Sequence, residues 1–243
     1  MRFKLNIALR HALRRLTPGL AVLIAACAQP VAVVDETSIP PLPEASYAGA
    51  LKSGSAVYRI EPLESLLLVR VGRAGTMKRL GHDHVIASEH VQGLVEINAD
   101  PTASRADVVV PVRNLIVDKP SYRDRLGLET TPSDADIAGT YTNMLKVLEP
   151  SLYPWVVARA RIASVNNEAP TLVVSMTVNG TTVEYLMPVR LVIDRAKLAV
   201  DGRAVIRHSE FGLIPYQAAG GLLRVADELE IDFRLVAIAM PRS

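Results

Sequence analysis

Residues 78–98, KRLGHDHVIASEHVQGLVEIN, bring together His82, His84 and His90, three of the five histidines in the chain, with Asp83 and Glu89 between them. Val85, Ile86, Val91, Leu94, Val95 and Ile97 supply β-branched or apolar bulk, which predicts strand rather than helix. In a strand successive side chains alternate between faces, so His82 and His84 share one face and Asp83 takes the other. An unbroken strand would add His90 to that face, and a bulge at Ser88-Glu89 would remove it. Two imidazoles side by side form either a metal-ligand pair or a polar rim on an apolar cavity.

The metal reading needs a third ligand. Tri-histidine zinc sites combine two strand histidines at i and i+2 with one from elsewhere, at Zn–N distances of about 2.0–2.1 Å. His208, just before Phe211-Gly212 on a late strand, could be brought beside His82 by barrel closure, with His90, Asp83 and Glu89 as spares. An open fourth position would activate water. Other catalytic templates are missing: there is no Gly-X-Ser-X-Gly and no phosphate-cradling loop. The adjacent Gly220-Gly221 lacks the Lys-Ser/Thr of such a loop and reads as a turn.

The elements that must position these residues are mostly strands. Segments 56–60 and 66–71 flank a turn at Glu61-Pro62-Leu63-Glu64, the histidine strand follows, and 106–117 is strongly β-branched. Residues 118–132 read as a charged loop or short helix. Ser133 is a good N-cap for a helix over 134–148, with acids in its first turn and Lys146 near its end. Ile137, Tyr141, Met144, Leu145 and Leu148 give that helix an apolar face to set on, or inside, a barrel. Segments 155–165, 171–178 and 182–193 follow, the last two joined by Asn179-Gly180, the strongest short hairpin signal. Segments 197–208 and 222–237 complete eight or nine strands. That spacing, with one helix, predicts a mainly β, antiparallel fold, a single closed barrel or a sandwich. Leu66 to Val69 show no alternation, so the helix or the preceding tether is expected to cover the outer face there.

Charge is unevenly placed. All charged residues before Asp35 are basic, and an apolar run, 16–26, follows them, as in a secretory signal peptide. The run ends Leu23-Ile24-Ala25-Ala26-Cys27, and Cys27 is the only cysteine. This resembles the lipobox of bacterial lipoproteins, which implies cleavage before Cys27, its lipidation, and anchoring to a membrane. The expectation is an exported protein on the periplasmic face, with the outer membrane favoured: signal peptide 1–26, flexible Pro-rich tether 27–54, barrel 55–240. Without residues 1–26 the chain keeps 22 basic residues against 25 acidic, a net of −3. Such a body carries no electrostatic footprint for nucleic acid.

The order of motifs resembles the YceI-like family of bacterial envelope proteins. The resembling pieces are Tyr58-Arg59-Ile60-Glu61-Pro62, Ser65-Leu66-Leu67, Gly81-His82, Val91-Gln92-Gly93-Leu94-Val95 and Asn179-Gly180-Thr181-Thr182. His208-Ser209-Glu210-Phe211-Gly212-Leu213 and Val225-Ala226-Asp227-Glu228-Leu229-Glu230-Ile231 complete the series. The resemblance implies a lipocalin-like barrel enclosing a long apolar ligand, a polyisoprenoid lipid or a quinone, as a carrier rather than an enzyme. A cavity for such a tail needs apolar walls with few polar anchors at its mouth. Trp155, Tyr185, Phe211 and Tyr216 are candidate lining, and His82 and His84 candidate donors to a carbonyl or headgroup. This chain departs from the family pattern in carrying His208 where an arginine is usual and in the denser Gly81-His82-Asp83-His84. A dimer is compatible with all of this, as is a filled, purely structural barrel.

Overall fold

The computed structural model describes residues 42–165 and 170–241. Cys27, the expected signal peptide and most of the expected tether lie outside the described residues.

The first three staves of the barrel are strands broken in the middle. β1 (Ala56–Ile60) and β2 (Leu66–Ala74) run end to end, as do β3 (His84–Ser88) and β4 (Gln92–Ile97), and β5 (Arg105–Pro111) and β6 (Ile116–Val117). β1 pairs with β4 and β2 with β3, while β4 pairs with β5 and β3 with β6. Five more strands continue the meander: β7 (Trp155–Val165), β8 (Pro170–Val178), β9 (Thr181–Ile193), β10 (Lys197–Arg207) and, after a two-residue β11 (Gln217–Ala218), β12 (Leu223–Ala239). β12 pairs with β10 from Glu228 to Ile238 and with β11 at Leu223 and Arg224; its other edge meets β2 from Arg224 to Arg234 and β1 from Ala237 to Ala239. That double pairing closes eight antiparallel staves into a barrel and leaves the long strands no open edge.

Alternation sorts the residues. On β1, Tyr58 and Ile60 enter the barrel core with Val91, Val110, Leu198 and Ala237, while Val57 faces outward. The hairpin at Asn179-Gly180 takes positive φ at both residues, 46° and 76°, as its sequence demands. Gly202, on β10, is small because a Cβ there would lie 2.4 Å from the Phe233 ring, which crosses the barrel at that level.

Among the described residues three α-helices accompany the sheet, where one was expected and a second, short one was allowed over 118–132. α3 (Asp134–Leu148) has the expected bounds, and its N-cap Ser133 forms a reciprocal capping box with Asp136. α1 (Glu44–Lys52) falls inside the segment expected to be a flexible tether, which corrects that boundary: the folded unit starts ahead of residue 55. The physical reason is Tyr47, buried among Val57, Leu94 and Leu51, with its hydroxyl donating to Asp107 Oδ2 at 2.8 Å. α2 (Pro120–Arg125) starts with proline, which needs no N–H partner in a first turn. Tyr122 and Leu126 with Leu128 cover Leu68, Val85 and Ala87 on the outer face of β2 and β3. The missing alternation at 66–69 therefore has its cause in α2 and the turn after it, not in α3 or the tether.

Candidate functional site

The centre of the barrel is hollow. A cavity of about 450 Å³ runs from Ile60, Val95 and Leu198 toward the end where β2, β3 and β6 lie. Its walls are the inward positions of the staves, such as Leu67 and Val69 on β2, Ala158 and Ala160 on β7, Val174 and Met176 on β8, and Ile231 and Phe233 on β12. Thr140, Asn143, Met144, Val147 and Leu148 of α3 close one side of the wider end. The volume falls in the range of small-molecule sites, about 300–1,000 Å³, whose walls are mainly apolar with a few placed polar groups.

The polar groups of this cavity cluster at that wider end. Arg73, His82, His84, His208, Tyr216 and Arg224 all border it there. His82 precedes β3 and His84 opens it, so both reach the inner face; their rings stand edge to face with centroids 6.4 Å apart. Asp83 points away and pairs with Arg70 and Arg73, at 3.4 and 3.5 Å. His90 sits in the break between β3 and β4 and is exposed, away from the cavity.

His84 is held by a buried network. Its Nδ1–H donates to Asp118 Oδ2 at 2.6 Å, which leaves Nε2 as the uncommitted nitrogen of the ring. Asp118 is 1% exposed and adopts φ 52°, a left-handed turn that aspartate tolerates better than most residues. Its Oδ1 accepts the Val85 N–H at 3.0 Å and the guanidinium of Arg123, which also donates to the Asp83 carbonyl at 2.9 Å and to Thr130. Burial pushes the Asp118 carboxyl up, but hydrogen bonds from His84 and the Val85 N–H, the His84 charge and the Arg123 bond outweigh it and hold the group below the ordinary range. His208 is tied elsewhere: its Nδ1 donates to the Asp227 carbonyl at 3.1 Å, where β12 bulges between Val225 and Leu229 opposite β2. His82 Nδ1 is buried with no protein partner.

These positions separate the sequence candidates. His82, His84, His208, Phe211 and Tyr216 border the cavity; Trp155 and Tyr185 do not. Trp155 has the opposite parity to Val156, Ala158 and Ala160, so the alternation of β7 turns it outward. Tyr185 faces inward but is taken up at the end of the barrel, 6.3 Å from the Phe211 ring, with its hydroxyl donating to Glu210 at 2.7 Å. Barrel closure does not gather His82, His84 and His208 into a ligand set, and among the described residues no three His, Cys, Asp or Glu side chains are placed to hold a metal. His208 does not lie on a late strand but opens the 3-10 turn after β10, and closure puts β12 and β2 between β10 and the histidine strand. Asp118 and Arg123 escaped the sequence reading. The available signal was one aspartate directly after the apolar run 106–117, in the segment treated as a charged loop.

No protein-family model and no curated protein matches this chain. Among solved structures it is similar to Burkholderia cenocepacia BcnA, at 17% identity and a TM-score of 0.51, over 73% of this chain and 98% of that one. A Campylobacter jejuni YCEI protein aligns at 11% identity and a TM-score of 0.43, over 62% of this chain and 82% of that one. The likeness to BcnA is one of fold: a closed, antiparallel, lipocalin-like barrel, here with a hollow interior.

Proposed function

We propose that this barrel is a non-catalytic carrier or store for a long apolar ligand, a polyisoprenoid lipid or a quinone, working at the periplasmic face of the cell envelope. The observation that carries the reading is the cavity itself: a continuous apolar interior of about 450 Å³ with its polar groups gathered at one end. A chain molecule with one polar end matches that distribution, because its tail is desolvated by the walls while its head stays beside groups that can bond it. Neutral His84 offers a lone pair at Nε2 to a hydroxyl, and protonated His84 offers a donor to a carbonyl or phosphate oxygen. His82 Nδ1 and Tyr216 add polar capacity to the same end. The basic, apolar segment before Cys27 supports export and lipid anchoring, with the outer membrane as the favoured destination.

The test is mass spectrometry of an organic extract of the purified protein. A prenyl-chain species at near-stoichiometric amount supports the carrier. An extract without apolar chains, from protein that also takes up no ubiquinone on addition, defeats it.

A further inference from the structure

Two loops frame the polar end of the cavity, residues 75–83 between β2 and β3 and residues 212–222 before β12. They are joined to each other: the Met77 N–H donates to the Leu222 carbonyl at 2.9 Å, and Gly75 lies so close to Leu222 that a Cβ would sit 2.4 Å from that carbonyl. The loops carry large apolar side chains into solvent. Ile214 is 76% exposed and Leu80 69%, with Met77, Tyr216 and Leu222 also exposed beside them. The same rim is basic. Lys78, Arg79 and Arg224 are exposed, and none has an ion-pair partner among the described residues. Residues 75–82 and 212–224 contain no acidic residue, in a chain whose body is net acidic, and Asp83, at the end of the first loop, is paired with Arg70 and Arg73.

We propose that this rim docks the barrel mouth-first onto an anionic lipid bilayer. Exposed apolar tips interleaved with unpaired cations are the composition of surfaces that sit in the headgroup layer, where the tips reach acyl chains and the cations meet lipid phosphates. A bilayer is preferred to an acidic protein surface because the basic, apolar segment before Cys27 would tether the barrel beside one and because an apolar cavity reaches the same rim. Tyr216 and Arg224 line the cavity and are also exposed at this rim, so docking sets the apolar interior beside the bilayer. A tail could then pass between membrane and barrel without crossing water.

The experiment places a tryptophan reporter in the full chain, in a Trp155→Phe background, by Leu80→Trp or Ile214→Trp, with Leu186→Trp on the outer face of β9 as control. Fluorescence is read with vesicles of phosphatidylglycerol and chain-brominated phosphatidylcholine. Bromine quenching of the two rim reporters and not of the control is the expected result. Salt at about 1 M, where the screening length is about 3 Å, abolishes it. Lys78→Glu with Arg79→Glu lowers the docked-to-undocked ratio roughly tenfold or more, from about 1 kcal/mol per surface cation. Equal quenching at all three positions, or none at the rim, overturns the proposal, as does a rim signal that follows protein concentration without vesicles, which would mark a second copy. A melt by circular dichroism checks that each variant is folded. Lipid extraction is read separately, so a filled barrel that does not dock and an empty one that does are told apart.

Discussion

Asp118 ties together the stability of the fold and the chemistry of the mouth. Arg123 is buried against it, so Asp118→Ala leaves a guanidinium in the interior with its charge unmatched. The expected cost is about 3–5 kcal/mol in urea unfolding. The direction of its titration gives a second prediction. A carboxyl held below its ordinary value stabilises the fold above the unfolded-state pKa, about 3.9, and loses that contribution as pH falls through the folded value. Urea midpoints are therefore expected to fall from about pH 5 to about pH 3, around the unfolded-state value, and Asp118→Asn flattens that slope. Asp118 and Arg123 are five residues apart, yet their burial was illegible, because the contacts that bury them, with His84, the Val85 N–H and the Asp83 carbonyl, come from more than thirty residues earlier. Their meeting depends on α2 folding back across β3.

At the scale of elements, α1 and α2 do a similar task on different staves. Each covers an outward apolar face that the barrel alone would leave wet. Tyr47→Ala empties the site between Val57 and Leu94 and is expected to cost about 3–5 kcal/mol, the range for large aromatic truncations. Tyr47→Phe removes only the bond to Asp107, about 0.5–1.5 kcal/mol, since Asp107 also pairs with Arg159 at 3.2 Å. Thermal melts of the two variants separate packing from hydrogen bonding. α3 was readable because its cap, its period and its first-turn acids all agreed. α1 was not, since prolines at 40, 41 and 43 precede it and its nine residues show little amphipathic pattern. What orders it is Tyr47 finding a seat on β1 and β4, with Glu44 paired to Arg59 and Ser46 accepting from Arg105 beside it.

For the whole molecule the hollow interior makes the sharpest forecast. Ala160→Phe puts a ring among Ala158, Leu172 and Val174 in the middle of the cavity. It should displace a bound chain while disturbing the fold less than the 1–3 kcal/mol typical of overpacking a solid core, roughly, since empty space receives the ring. Extracted lipid per protein is the readout, with the melting temperature as control. Removing bound ligand should also lower thermal stability; a ligand at a hundred times its Kd contributes about 2.7 kcal/mol. Calorimetry before and after delipidation measures it.

Local pattern alone determined a good deal: most strand segments, the Asn179-Gly180 hairpin, the bounds of α3, the mainly β class, and the shared face of His82 and His84. These are short-range properties, set by the periods of strand and helix and by the φ angles that particular residues accept. Only the tertiary structure decided that the barrel is hollow, that Trp155 faces away from it, that Tyr185 is bonded to Glu210, and that His208 is anchored to Asp227 rather than to a shared metal. Those outcomes depend on closure: which stave meets which, at what register, and how much volume the inward side chains leave unfilled. No window of sequence contains that sum.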